Sequence, residues 1–195
     1  MYNKGMAPDL PIVSFASSEE WRNWLDHNYD KTDGVWLRFY KKASGLATIS
    51  YDEAVDQALC YGWIDSQVKK YDENSYLQKF TPRRTKSIWS QINTKRIERL
   101  IKEGLMMAPG IKMVEEAKKD GRWQSAYNPP STAEVPTDFL LLLDKNKIAK
   151  AFFKTLNKTN VYAIVWRLQT AKKPETREKR MNAIVAMLAE KKKFY

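Results

Sequence analysis

The sequence holds a single cysteine, Cys60, and a single histidine, His27. A lone cysteine cannot close an internal disulfide, which fits a reducing compartment. A metal centre needs a cluster of ligands, and only Asp26 and Asp30 accompany His27 on its helical stretch. His27 therefore reads as a surface or capping residue. Ser-His-Asp and Cys-His chemistry are disfavoured on the same ground: His27 would be the only imidazole base, and Cys60 falls inside an apolar helical pattern as a small buried hydrophobe. Walker A, GxGxxG and EF-hand patterns are also missing. No metal and no cofactor are expected, and no catalytic residue is assigned.

Long apolar runs are absent as well. The longest, Phe139 to Leu143, is far short of the roughly 20 residues that span a bilayer, so no transmembrane helix is predicted. The opening MYNKGMAPDLPIV lacks the charged-then-apolar run and small-residue cleavage site of a secretory leader. Together with the cysteine count, this predicts a cytoplasmic protein.

What the sequence does contain is aromatic residues and positive charge. The seven Trp and ten Tyr among 195 residues each bring about 150–250 Å² of buriable surface, enough for a core without covalent staples. The net charge of +11 is uneven: residues 1–128 carry 20 Lys and Arg against 17 Asp and Glu, and residues 129–195 carry 14 against 6. Such an excess suits a polyanion, anionic lipid or an acidic protein as partner, while saying nothing of fold.

Capping boxes start two helices. Ser17 precedes Glu20 and the apolar Trp21, Trp24 and Leu25; Ser50 precedes Glu53 and then Ala54, Val55, Ala58 and Leu59, with Gly62 as the stop. Asp52, Glu53 and Asp56 sit in the first turns of that second helix, where negative side chains suit the dipole. Between the two, VWLRFYKK alternates Val35, Leu37 and Phe39 with Trp36, Arg38 and Tyr40, the period of a strand. Trp63 to Lys70 and Ser75 to Thr81 flank the turn cluster Asp72-Glu73-Asn74 and predict a hairpin.

Helices are expected after Trp89 as far as Gly104, and from Pro109 to Gly121. The intervening GLMMAPG is too long for a helix-turn-helix, and Glu115 and Glu116 would face the DNA. YNPPSTAEVP, Tyr127 to Pro136, is the best candidate linker. Four short apolar-striped stretches follow, beginning at Thr137, Lys147, Thr159 and Glu175. The fold class is α+β: a first region, 1–127, with a small antiparallel sheet and flanking helices, then a C-terminal helical bundle region, 128–195.

Several blocks carry a family resemblance: GVWLRFYKK (Gly34 to Lys42), YDEAVDQALCYGWIDSQ (Tyr51 to Gln67), FTPRRTKSIWSQIN (Phe80 to Asn93), DGRW (Asp120 to Trp123), VPTDF (Val135 to Phe139) and AKKPETREKR (Ala171 to Arg180). The chain resembles, from Phe15 to about Leu188, the YdeI/OmpD-associated, or bacteriocin-protection, proteins of bacteria. Ser66 stands where the family often has glycine, and Tyr61 where Phe is usual. The resemblance implies a non-catalytic stress-tolerance or binding protein, and brings no reaction or catalytic residues with it.

Two groups of residues are candidate sites. In GWIDSQ, strand alternation puts Trp63, Asp65 and Gln67 on one face, with Arg83, Arg84, Lys86 and Trp89 close behind in sequence. An arginine could pair with Asp65 as a structural element, or the group could form a groove in which Arg grips a carboxylate or phosphate and Trp stacks on a planar ligand. An enzyme acting on a small anionic molecule would use that groove. The second group, Lys172, Lys173, Arg177, Lys179 and Arg180, would contact a polyanion, including nucleic acid, through the basic C-terminal helices.

Overall fold

The computed structural model describes residues 10–195. Most of the N-terminal stretch read for a leader, residues 1–9, lies outside them. Helix takes 49% of the described residues and strand 14%, so the class is α+β with helix in excess. The chain divides into two compact units, one formed by the described residues up to Ser87 together with Asn93–Gln124, the other by Ile88–Ile92 and Ser125–Tyr195.

The first unit is built on a four-stranded sheet, β1 (Ile12–Val13), β2 (Val35–Tyr40), β3 (Trp63–Lys70) and β4 (Ser75–Pro82), in the order β1-β2-β4-β3. β3 and β4 form the antiparallel hairpin that the sequence pattern predicts, and β2 pairs antiparallel with the other side of β4. The sheet is nevertheless mixed rather than purely antiparallel, because β1 pairs with β2 in parallel, Ile12 opposite Trp36 and Val13 opposite Leu37. Two residues are too few to show a period, which is why the sequence pattern does not reveal this strand.

One face of the sheet is the core. Val35, Leu37 and Phe39 of β2 lie opposite Phe80, Gln78 and Tyr76 of β4, and all but Tyr76 are buried. Against this face stand Trp21 and Leu25 of α1 (Ser18–Asn28) and Ala54, Val55, Ala58 and Leu59 of α2 (Tyr51–Cys60). The Trp21 ring meets Phe80 edge-on at 5.8 Å and Trp63 at 6.3 Å, and its indole N–H donates to the Ala54 carbonyl at 3.1 Å. Burial of each such side chain is worth about 1.5–3 kcal/mol.

Both helix starts are capped by the expected serines. Ser50 Oγ accepts from the Glu53 N–H, and the Glu53 carboxylate accepts from the Ser50 N–H at 3.0 Å. At α1, Ser17 Oγ accepts from the Glu20 N–H at 3.2 Å, while Glu20 reaches one residue further back, to the Ala16 N–H. Asp56 pairs with Arg96 at 3.0 Å and also with Arg99, and Asp52 pairs with Arg96, so the acidic start of α2 also holds α3 (Gln91–Lys102). α4 (Ala108–Lys119) docks at the other end of α2, where the Met107 N–H donates to the Cys60 carbonyl at 3.1 Å.

The second unit is helical: α5 (Thr137–Asp144), α6 (Lys147–Phe153), α7 (Lys158–Gln169) and α8 (Pro174–Ala189). Phe139, Leu143, Ala149, Ile164, Leu168, Ile184 and Leu188 form its core, one or two from each helix. Asn146 and Asn157 cap α6 and α7 by accepting from the N–H groups of Ala149 and Asn160. Within this unit Ser90 bridges Tyr127, and the Asn128 N–H donates to Gln169 Oε1 at 3.1 Å.

Candidate functional site

The strand alternation anticipated for GWIDSQ is broken by a bulge between Asp65 and Val68. Asp65 lies opposite Phe80 and Val68 opposite Gln78, so three steps along β3 match two along β4. The face therefore slips by one residue. Val68, not Gln67, follows Asp65, and it is 65% exposed rather than part of an apolar side. Lys69 is thereby turned to the outer face of the sheet, opposite Leu77.

Trp63 is 1% exposed, its ring at 6.0 Å from Trp24 and its indole N–H donating to the Tyr29 carbonyl at 3.0 Å. Asp65 accepts from the Tyr51 hydroxyl at 2.7 Å and from Gln78 Nε2 at 3.3 Å. Its partners are thus a phenol and an amide, and not the arginine that one of the two sequence readings offered. Burial, and then the bond to Asp65, raises the Tyr51 hydroxyl well above its ordinary pKa. Arg83 is buried, with its backbone N–H on the Gly62 carbonyl at 2.9 Å, whereas Gln67, Arg84 and Lys86 are exposed. Trp89, in the second unit, is buried.

In the second unit, the five basic residues of the Ala171 to Arg180 block divide. Arg177 forms a two-pronged pair with Asp138 of α5, both bonds at 2.8 Å, and donates to the Leu168 carbonyl at the end of α7. Arg180 donates to the Arg167 carbonyl at 2.6 Å and to Thr170. Both arginines thus secure helix ends. Lys172, Lys173 and Lys179 are exposed.

The outer face of the sheet carries a different constellation. Trp36, Arg38 and Tyr40 project from β2 at alternate positions, spaced about 6.6 Å apart along a strand. Lys69 Nζ lies 4.1 Å from the Trp36 ring centroid and Lys79 Nζ 6.0 Å from it. At exposed sites each such contact is worth about 0.5–1 kcal/mol. Among the described residues no carboxylate pairs with Lys69 or Lys79. Arg38 lies 4.5 Å from the Tyr40 ring centroid and 4.9 Å from that of Tyr71, and is neutralised by Asp72 at 2.6 Å. The Ser75 hydroxyl, with help from the Asn74 N–H and Arg38, holds the Asp72 carboxyl below its usual range. One end of the face is therefore charge-balanced, and the other, at Trp36, bears two ammonium groups with no carboxylate partner among the described residues.

Only half of this constellation is visible in the sequence. The alternation of Trp36, Arg38 and Tyr40 away from the apolar Val35, Leu37 and Phe39 marks an outer face rich in aromatics and charge. The lysines that join it come from the hairpin, and the bulge that delivers Lys69 leaves no mark in composition.

No curated protein and no solved structure matches the chain. Two family models do. Residues 132–191 match the model described as bacteriocin-protection, YdeI or OmpD-associated, so the match to that family is confined to the C-terminal segment. The motifs from Gly34 to Asn93 fall within a different model, described as a domain of unknown function, DUF8412, which spans residues 13–113, just over half of the chain. The chain belongs to the family of this domain of unknown function, DUF8412, and joins to it a segment similar to the bacteriocin-protection proteins.

Proposed function

We propose that this chain is a non-catalytic, cytoplasmic binding protein of the stress-tolerance type to which the bacteriocin-protection family belongs, and that it works by holding a polyanionic partner. The observation that carries this reading is the pair Lys69 and Lys79 over the single indole of Trp36, with no carboxylate paired to either among the described residues. Two like charges brought to one ring repel each other, and an external anion relieves that repulsion. The +11 net charge adds long-range attraction for such a partner.

Heparin affinity, measured across a salt series, tests the proposal. Binding should weaken steeply as salt rises, and Lys69→Gln with Lys79→Gln should flatten that dependence. Failure of the full chain to bind heparin at low salt would overturn it. A second reading places the contact at the start of α8 and the residues just before it, favoured by the exposure of Lys172, Lys173 and Lys179. Replacing those three with Gln separates the two surfaces.

A further inference from the structure

Aromatic rings interleaved with cations on one sheet face, with Lys69 exposed and Trp36 half-buried, are more specific than a basic patch. The carboxylates of an acidic peptide or the sulfates of a sulfated sugar would satisfy Lys69 and Lys79, but neither group brings a planar π-face to the rings beside them. A nucleobase uses both, since its π-face stacks on an aromatic side chain while its phosphate meets the cation. Stacking of this kind needs unpaired bases, which a duplex keeps stacked on one another. Resting on the polyanion reading above, we infer that the outer face of the sheet is a binding site for single-stranded nucleic acid.

The geometry assigns the parts. Lys69 is exposed and on a flexible stem, so an incoming base displaces its ammonium from the Trp36 ring and the ammonium moves to the adjoining phosphate. Lys79, directly opposite Trp36 in the sheet register, sits within reach of the same nucleotide. Ile12, paired with Trp36 on the edge strand and 46% exposed, extends the apolar floor. At the other end Tyr71, 48% exposed, offers a second ring. Arg38, fixed by Asp72 and Ser75, packs on that ring at 4.9 Å from its centroid.

Fluorescence anisotropy of the full chain with a labelled oligothymidylate of about 16 nucleotides, the upper end of common single-strand site sizes, tests this. A duplex of equal length and heparin serve as competitors. The oligothymidylate should bind more tightly than the duplex at the same salt, and Trp36→Leu should weaken it by at least about fivefold. Tyr71→Leu, at a position 48% exposed, should weaken it too. Equal competition by heparin and duplex, with both leucine variants binding oligothymidylate like the parent, would overturn the inference and leave the polyanion reading standing. No binding to any of the three would overturn both. Loss of oligothymidylate binding only on Lys172→Gln, Lys173→Gln and Lys179→Gln would place the strand on α8 and overturn the sheet site.

Discussion

Gly110 lies against the carbonyl oxygen of Cys60: a β-carbon built at Gly110 would stand 2.2 Å from that oxygen and 2.8 Å from the oxygen of Leu59. Helix α4 thus meets the C-terminal end of α2 backbone to backbone, and no side chain fits between them. Gly110→Ala should therefore cost about 3 kcal/mol, the upper part of the overpacking range. Gly104→Ala is the control, because its left-handed φ of +71° faces open space and carries only the backbone penalty of about 1–2 kcal/mol. Chemical denaturation of the two variants compares them directly, and a Gly110→Ala variant as stable as the parent would contradict the contact.

Asp65 makes a different kind of prediction. Its partners are the Tyr51 hydroxyl and the Gln78 amide, and an asparagine keeps one oxygen able to accept from Tyr51. Asp65→Asn should cost on the order of 1 kcal/mol, the scale of one hydrogen bond. A loss of about 3–5 kcal/mol would instead show a buried ion pair broken.

Alkaline pH should destabilise the protein through its tyrosines. Burial first, and then the bonds to Asp65 and Asp26, raise the Tyr51 and Tyr61 hydroxyls far above the ordinary value. The folded state thus holds these protons more tightly than the unfolded chain does. Their contribution is fully present below the unfolded pKa of about 10 and is lost as pH climbs from there toward the folded values. Melting temperatures should fall above about pH 10, and the fall should be shallower in a Tyr51→Phe, Tyr61→Phe double variant.

Arg177 should behave as a structural residue. Arg177→Gln removes its pair with Asp138 and its bond to the Leu168 carbonyl, for about 1 kcal/mol given the partial exposure of the pair. The Arg177 guanidinium holds the Asp138 carboxyl below its usual range. The stability of this pair is therefore present above the unfolded carboxylate pKa of about 3.9 and is lost as pH falls toward the folded value. Lys173→Gln should leave the melting temperature unchanged. Equal effects of the two substitutions on thermal melts would refute this division.

Local signals were the legible part of the fold. The serine caps at Ser17 and Ser50, the turn at Asp72 to Asn74 and the stops at Gly62 and Gly104 all act within a few residues, and the elements lie where those signals put them. The parts that were not legible depend on distance along the chain. β1 is held by pairing with β2 and has no pattern of its own. Tyr51 reaches Asp65 because α2 folds back over the sheet, and neither neighbourhood advertises the other. The arginines nearest Asp65 in sequence suggested an ion pair, but an edge strand with one side open lets a phenol and an amide satisfy the carboxylate. The outer face was legible for β2 alone, since Lys69 joins Trp36 only through the slipped register.

β3 is also the rim of the sheet, with β4 on one side and no strand on the other among the described residues. An uninterrupted rim offers a row of backbone donors and acceptors to which another molecule can add a strand. Here the bulge at Asp65 to Val68 spoils the spacing of that row, and the exposed Lys69 and Lys70 place positive charge along it. Two copies meeting rim to rim would bring like charges together on mismatched backbones. Removing one residue at 66 or 67 would straighten the strand while keeping Lys69 opposite Leu77, and would leave a rim receptive to self-association. A single extra residue in β3 thus spoils this rim as a template for strand addition.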